Sequence, residues 1–302
     1  MLSHRQKVII AFLLLYFIWG STYLAIRFTI ETLPIFMTAG LRFLLAGLIL
    51  FLGMRYKEKS VVVTREHWKS AFIVGGFLLL RGNGSVVWAE RVVPSSLAAL
   101  IVATTPFWMV LLQWLWQKGQ RPAAGVLMGI AVGFVGVGIL ILPDLINNSH
   151  DVRLAGVVAL LMAALSWSIG SLYSRRAPLP QSPFLATGME MIAGGILLLT
   201  FGFLQGEVVH IHPENFSFKS LAAFVYLIIF GSLVGFTSYI WLLKNVGVTK
   251  TSTYAYVNPI VAVILGCLLA GERLTGHIIF AASLIIISVI IITMNQKISE
   301  SS

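Results

Sequence analysis

The run VIIAFLLLYFIWGSTYLAI, residues 8–26, carries no charge between Lys7 and Arg27. About 20 apolar residues in a helix cross the hydrocarbon core of a bilayer. Arg5 and Lys7 ahead of the run give it the look of a signal peptide, but no small-residue cleavage site follows, so it reads as a first membrane helix. Working outward, similar runs lie near residues 8–27, 34–54, 69–90, 95–116, 122–142, 154–174, 183–204, 220–243, 250–270 and 275–294. Pro34, Pro94, Pro122 and Pro183 stand at starts, as prolines do where a helix leaves a turn. The third and eighth runs are interrupted by Gly82-Asn83-Gly84 and Gly235-Phe236-Thr237-Ser238. The expected fold is therefore an all-α integral membrane protein of ten transmembrane helices.

Composition agrees. The chain has 302 residues, 58% of them hydrophobic and 11% charged, with a mean hydropathy of +0.92. A soluble domain carries roughly 25% charged residues, so these charges are too few to cover a water-facing surface. Ten spans leave only short loops and no room for a soluble domain. The net charge of +10 lies in short clusters between apolar runs rather than on a basic stripe, which argues against nucleic acid as a partner. The single cysteine, Cys267, sits in an apolar run and excludes an internal disulfide.

The basic residues set an orientation. With the N-terminus inside, fourteen lysines and arginines fall on the inner side, among them Arg5, Lys7, Arg55, Lys57, Lys59, Arg65, Lys69, Arg175 and Arg176. Five (Arg27, Arg91, Arg153, Lys219 and Arg273) fall outside. An even helix count then puts both termini in the cytoplasm.

The halves repeat. An offset of 148 sets Trp19 on Trp167, Arg27 on Arg175, Arg42 on Glu190 and Gly47 on Gly195, and an offset of 153 sets Trp88 on Trp241, Arg91 on Lys244 and Pro106 on Pro259. Five helices per half is odd, so the second half (154–294) is inverted relative to the first (8–142), an arrangement typical of transporters.

Charges at membrane depth cost about 2.5–3.5 kcal/mol each on insertion scales, which singles out Arg42, Arg81 and Glu190. Arg42 and Glu190 are pseudo-equivalent. They could line a central cavity, with Glu190 a proton or cation site, or form a structural salt bridge between the halves. Arg81 stands beside Gly82-Asn83-Gly84, which suits either a cavity wall or a kink packed on a neighbour. Pro106 and Pro259 interrupt helices four and nine and are candidate hinges. Tyr254, Tyr256 and Asn258 recur every second residue, so at most two face one way on a helix. Trp19-Gly20-Ser21-Thr22-Tyr23 and Trp167-Ser168-Ile169-Gly170-Ser171 combine an aromatic ring with small polar residues, suiting close packing or a solute-facing wall. Gly125, Gly129 and Gly133 mark a close-contact face of helix five, within one chain or between two copies.

The candidate cavity residues are thus Trp19, Ser21, Tyr23, Arg81, Asn83, Trp88, Trp167, Tyr254, Tyr256 and Asn258, with Arg42, Glu190 and Glu90 as coupling or ion-pair residues. No phosphate-binding loop and no His-Glu-x-x-His pattern occurs, and no cofactor is implied. His210-Ile211-His212 lacks further ligands for a metal site.

The residues resemble the EamA-type ten-helix permeases of the drug/metabolite transporter superfamily over about residues 8–294. The resemblance rests on Trp19-Gly20-Ser21, Gly40-Leu41-Arg42, Gly82-Asn83-Gly84, Trp88-Ala89-Glu90, Tyr256-Val257-Asn258-Pro259 and Gly271-Glu272-Arg273-Leu274. It implies an inverted-repeat fold around a central cavity, alternating access, and export of amino acids, metabolites or drugs across the cell membrane, often with proton coupling. Two departures stand out. Arg81 occupies a position that is usually small or apolar in the family, and Lys118-Gly119-Gln120-Arg121 replaces a Gly-Glu pair after helix four. The reading is a secondary carrier of a small organic solute in a lipid bilayer, as a monomer or a homodimer. The alternative is a membrane-embedded lipid-processing enzyme, for which only Glu90, Glu272 and Asp144 approach the outer face. A sensor or scaffold would need an extramembrane domain.

Overall fold

The computed structural model describes residues 3–116, 121–146, 151–246, 251 and 254–300. Among these there is no strand. The helices are α1 (His4–Thr29), α2 (Ile35–Lys57), α3 (Arg65–Ala89), α4 (Ser95–Leu115), α5 (Ala124–Ile146), α6 (Asp151–Ser174), α7 (Pro183–Leu204), α8 (Phe218–Tyr226, Leu227–Val234 and Gly235–Val246 in succession), α9 (Tyr254–Ala270) and α10 (Gly276–Glu300). Seven helices among the described residues are long and apolar enough to cross a membrane, and three further apolar helices are shorter. The ten expected spans each correspond to a helix, although only seven meet the length and hydropathy of a full crossing.

Ile9, Leu13 and Phe17 of α1, Leu45, Ile49 and Leu52 of α2, and Ile260, Ile264 and Leu268 of α9 are exposed on the outside of the bundle. Leu15, Phe43, Ala46, Leu79, Ala98 and Leu160 are sealed inside it. A chain apolar on both its inner and outer faces is matched to hydrocarbon rather than water.

Helix starts show how the chain meets the requirement that terminal N–H groups be satisfied. Ser3 and Gln6 form a reciprocal cap at α1, and Thr64 with His67 does the same at α3. Pro34 and Pro94 precede α2 and α4 and offer no side-chain acceptor. Carboxylates from the second half of the chain supply it. Glu207 accepts from Phe36 N at 3.0 Å and Met37 N at 2.9 Å, and Glu272 accepts from Ser95 N at 2.8 Å, Ser95 Oγ at 2.7 Å and Ser96 N at 3.1 Å. On the same face, Arg27 donates to the Glu90 carbonyl, and Lys219 pairs with Glu31 at 2.5 Å.

Two glycine seams hold the bundle. A Cβ added at Gly40 would lie 2.7 Å from Leu199 N and 2.9 Å from Gly195 O, and one at Gly47 would lie 2.8 Å from Ile192 N and 2.9 Å from Gly188 O. The partner numbers fall as the α2 numbers rise, so α2 and α7 run antiparallel with backbones in direct contact. The same holds between α5 and α10, where Gly125 meets Asn295, Gly129 meets Ile292 and Gly136 meets Ile285. The glycine face of α5 is therefore covered within the chain. Around these seams α1 lies against α8 and α9, and α6 against α3 and α4.

Overpacking a close-packed contact costs about 1–3 kcal/mol. Gly40→Val puts its new atoms against backbone, which cannot move aside, so it should lower the melting temperature of the purified protein clearly. Gly53→Ala meets nothing within 4 Å and should leave it unchanged or raise it. Equal losses in the two variants would contradict the seam.

Candidate functional site

The helices surround a partly open cavity of about 110 Å³. Its walls are Trp19, Thr22, Tyr23 and Ile26 of α1, Arg42 of α2, Gly82, Asn83 and Val86 of α3, Ala99, Val102, Ala103 and Thr105 of α4, Ala163 and Trp167 of α6, Phe236 of α8, and Tyr254, Ala255, Asn258 and Pro259 of α9. No carboxylate is among them.

Departures from regular helix make the room. α3 widens to i→i+5 bonding over Gly76–Asn83, and α8 does so over Leu227–Val234. Such π-turns expose carbonyls that need partners. Ser166 Oγ of α6 donates to Phe77 O at 2.7 Å, Trp19 Nε1 of α1 donates to Gly231 O at 3.3 Å, and Thr237 Oγ1 donates to Leu233 O at 2.6 Å. Each tryptophan also sits on a glycine of the opposite half. A Cβ at Gly82 would lie 3.3 Å from Trp167 Cε3, and one at Gly235 would lie 2.7 Å from Trp19 Cδ1. The glycines that interrupt the third and eighth apolar runs are thus the seats of these two rings.

Aromatic rings form a floor on one side of the cavity. Trp19 meets Trp167 edge-on at 6.3 Å, Phe236 at 5.2 Å, Tyr239 at 5.1 Å and Tyr254 at 5.2 Å between centroids. This floor lies toward the N-terminal end of α1, while Tyr23 and Ile26 line the cavity farther along α1.

The prolines differ in setting. α4 breaks at Ala103-Thr104, and Pro106 is the second residue of its second segment, Thr105–Leu115. Proline cannot bond to the carbonyl four residues back, and the Thr105 hydroxyl takes that Val102 carbonyl at 2.6 Å. Pro259 lies inside α9 and lines the cavity. With its amide turned to satisfy its neighbours, Asn258 donates to Tyr254 O at 3.3 Å and Tyr16 O at 3.1 Å, tying α9 to α1.

Arg42 is 4% exposed. Its Nε donates to Ser232 Oγ at 2.8 Å, and its guanidinium lies 4.5 Å from the Phe43 ring. No ion pair joins it to Glu190. The antiparallel seam places Arg42 opposite about residue 195 and Glu190 opposite Gly47, so the two are offset by about 7 Å along the helix axes. Glu190 packs instead against α3, where a Cβ added at Gly75 would lie 2.7 Å from Glu190 O. Glu90 is fully buried, and both of its carboxylate oxygens are without a hydrogen-bond partner among the described residues.

Of the residues singled out in the sequence, the cavity brings together Trp19, Tyr23, Arg42, Asn83, Trp167, Tyr254, Asn258 and Pro259. Ser21 is turned toward α8, where its hydroxyl meets Tyr226 Oη at 2.6 Å. Arg81 is exposed on the bundle exterior, and Trp88 packs into the core. Neither lines the cavity. Pro106, Glu90 and Glu190 lie off its lining, and the Tyr256 side chain, like that of Asp144, lies outside the described residues. Ser232 and Phe236 were not singled out. The repeat offset of 153 sets Asn83 on Phe236, which was the available signal.

An apolar helical bundle around a cavity that holds Arg42, Asn83 and Asn258 has the form of a membrane transporter. The EamA-like transporter family profile matches residues 6–142 and again 154–294, and the chain belongs to that family. The uncharacterized inner membrane transporter YedA of Escherichia coli strain K12 is 36% identical over 283 residues, covering 93% of this chain and 89% of that protein. The uncharacterized transporter YoaV of Bacillus subtilis strain 168 is 23% identical over 279 residues, covering 92% and 94%. A crystal structure sharing 19% identity superposes with a TM-score of 0.65 over 97% of this chain and 98% of the other, a likeness of fold. The protein is a transporter and not an enzyme.

Removing the partner of a buried charge leaves it unsatisfied, at a cost of about 1.5–3 kcal/mol. Ser232→Ala should therefore lower the melting temperature more than Glu190→Gln does. The reverse order would mean that Arg42 depends on Glu190.

Proposed function

We propose that this protein is a secondary active transporter that exports a small organic solute, such as a metabolite, amino acid or drug, across the cytoplasmic membrane by alternating access. The observation that carries this reading is a cavity walled by helices from both halves of the chain. The inner-membrane description of YedA supports the location. In this reading an ion gradient or solute exchange is the energy source.

The architecture we propose is ten membrane-spanning helices in two inverted five-helix repeats, residues 8–142 and 154–294, with both termini cytoplasmic. The double match of the family profile supports the repeat. So does the pattern of partners. Under the repeat α1 corresponds to α6 and α3 to α8, and each first helix donates a side-chain hydrogen bond into the π-turn of the other half's third helix. The aromatic floor is then the cytoplasmic barrier, and the bend at Pro259 with the break before Pro106 supplies the flexure for exchanging access. Glu190 of α7 and Glu90 at the C-terminal end of α3 are the carboxylates this reading assigns to proton coupling.

Proteoliposomes loaded with a defined mixture of amino acids, organic acids and quaternary ammonium compounds, under an imposed proton gradient, test the reading by mass spectrometry of released solute. Release of one class above protein-free liposomes is expected. Pro259→Ala should cut that flux by about tenfold while keeping incorporation, because a straightened helix keeps its hydrophobicity but loses its bend. Glu190→Gln should abolish proton-driven accumulation and spare solute exchange. No release of any class would contradict carrier function.

A further inference from the structure

Among the described residues, Arg42 is the only charged one lining the cavity. Its Nε is taken by Ser232, while its two terminal nitrogens have no hydrogen-bond partner among the described residues. The Gly231 backbone stands next to them, since a Cβ there would lie 3.3 Å from Arg42 Nη2. Asn83 Oδ1 is also buried without a partner, on the α3 wall. A half-turn of that amide presents an NH2 donor in its place. The floor and the α4 wall are aromatic and aliphatic. Glu90 and Glu190, both within the helical bundle, are not among the lining residues.

A buried cation with free fork nitrogens in a low-dielectric cavity is repaid by an anion and penalises a second cation. The guanidinium fork matches a carboxylate in particular. A zwitterion would bring an ammonium for which the wall holds no carboxylate. We infer that the cavity is selective for a small monocarboxylate with an apolar, ring-sized body, its carboxylate held by the free nitrogens of Arg42 and its body resting on the aromatic floor. This deepens the carrier reading and rests on it only for the fate of the bound solute. Binding itself is read without transport.

The test measures equilibrium binding to the full-length protein in detergent with four probes of one shape: hydrocinnamate, its neutral amide, the zwitterion phenylalanine and the cation phenethylamine. Hydrocinnamate should bind at least about tenfold tighter than the amide, as expected for a charge-assisted fork. Phenylalanine should bind more weakly than hydrocinnamate, and phenethylamine should not bind. Arg42→Gln should reduce hydrocinnamate to the level of the amide, and Arg42→Lys should restore part of the preference. If Arg42→Gln fails to fold, the order of the four probes on the unmodified protein still decides. Acid and amide binding alike, phenylalanine or phenethylamine matching hydrocinnamate, or no binding of any probe at millimolar concentration overturns the inference. Flux in proteoliposomes with the anion preference missing would sink this inference and leave the carrier reading standing. The converse result would do the opposite.

Discussion

In hydrocarbon every backbone N–H and C=O must find its partner inside the protein, and the structure is organised by where that rule is strained. The π-turns of α3 and α8 open the helices far enough to form a cavity, and they expose carbonyls that α6 and α1 must satisfy with Ser166 and Trp19. These same contacts seat Trp19 and Trp167 on Gly235 and Gly82, and the tryptophans so placed form the aromatic floor. Cavity, floor and cross-half hydrogen bonds are therefore one arrangement. The proline break in α4 obeys the same rule, with the Thr105 hydroxyl replacing the bond that Pro106 cannot make.

The glycine seam between α2 and α7 fixes the charges. Because those backbones touch at Gly40 and Gly47, Arg42 cannot swing to Glu190 and turns to Ser232 in the π-turn of α8. A buried arginine held by a neutral hydroxyl keeps its charge available, whereas one neutralised by a carboxylate would not. At the helix ends the rule reappears in another form. Prolines that start α2 and α4 leave N–H groups free, and Glu207 and Glu272 reach across the bundle to accept them.

Helix positions were legible because hydrophobic length is written directly in the chain, and the two tryptophan motifs and Arg42 stood out as polar groups within apolar runs. Side-chain direction was less legible. Arg81 and Ser21 look like cavity residues by depth, yet one is exposed on the exterior and the other turns to Tyr226. Depth follows from counting residues, while rotation about the helix axis follows from packing, and in α3 also from the π-turn, which shifts residues around the axis. The pairing of Arg42 with Glu190 failed for a related reason. In the inverted repeat proposed above, pseudo-equivalent positions lie on opposite sides of the midplane unless they fall at its centre. Ser232 and Glu207 gave no local signal, since a lone serine or a loop glutamate acquires its role only from the element brought against it.

The central claim is that the two halves are inverted relative to each other across one membrane. Cysteines placed singly at positions 31, 59, 176 and 214, in a Cys267→Ser background and in intact cells, test it with a membrane-impermeant thiol reagent. Positions 31 and 176 follow the pseudo-equivalent helices α1 and α6. The account predicts labelling at 31 and 214 from outside, and labelling at 59 and 176 only after permeabilisation. Labelling of 31 and 176 from the same side would contradict it.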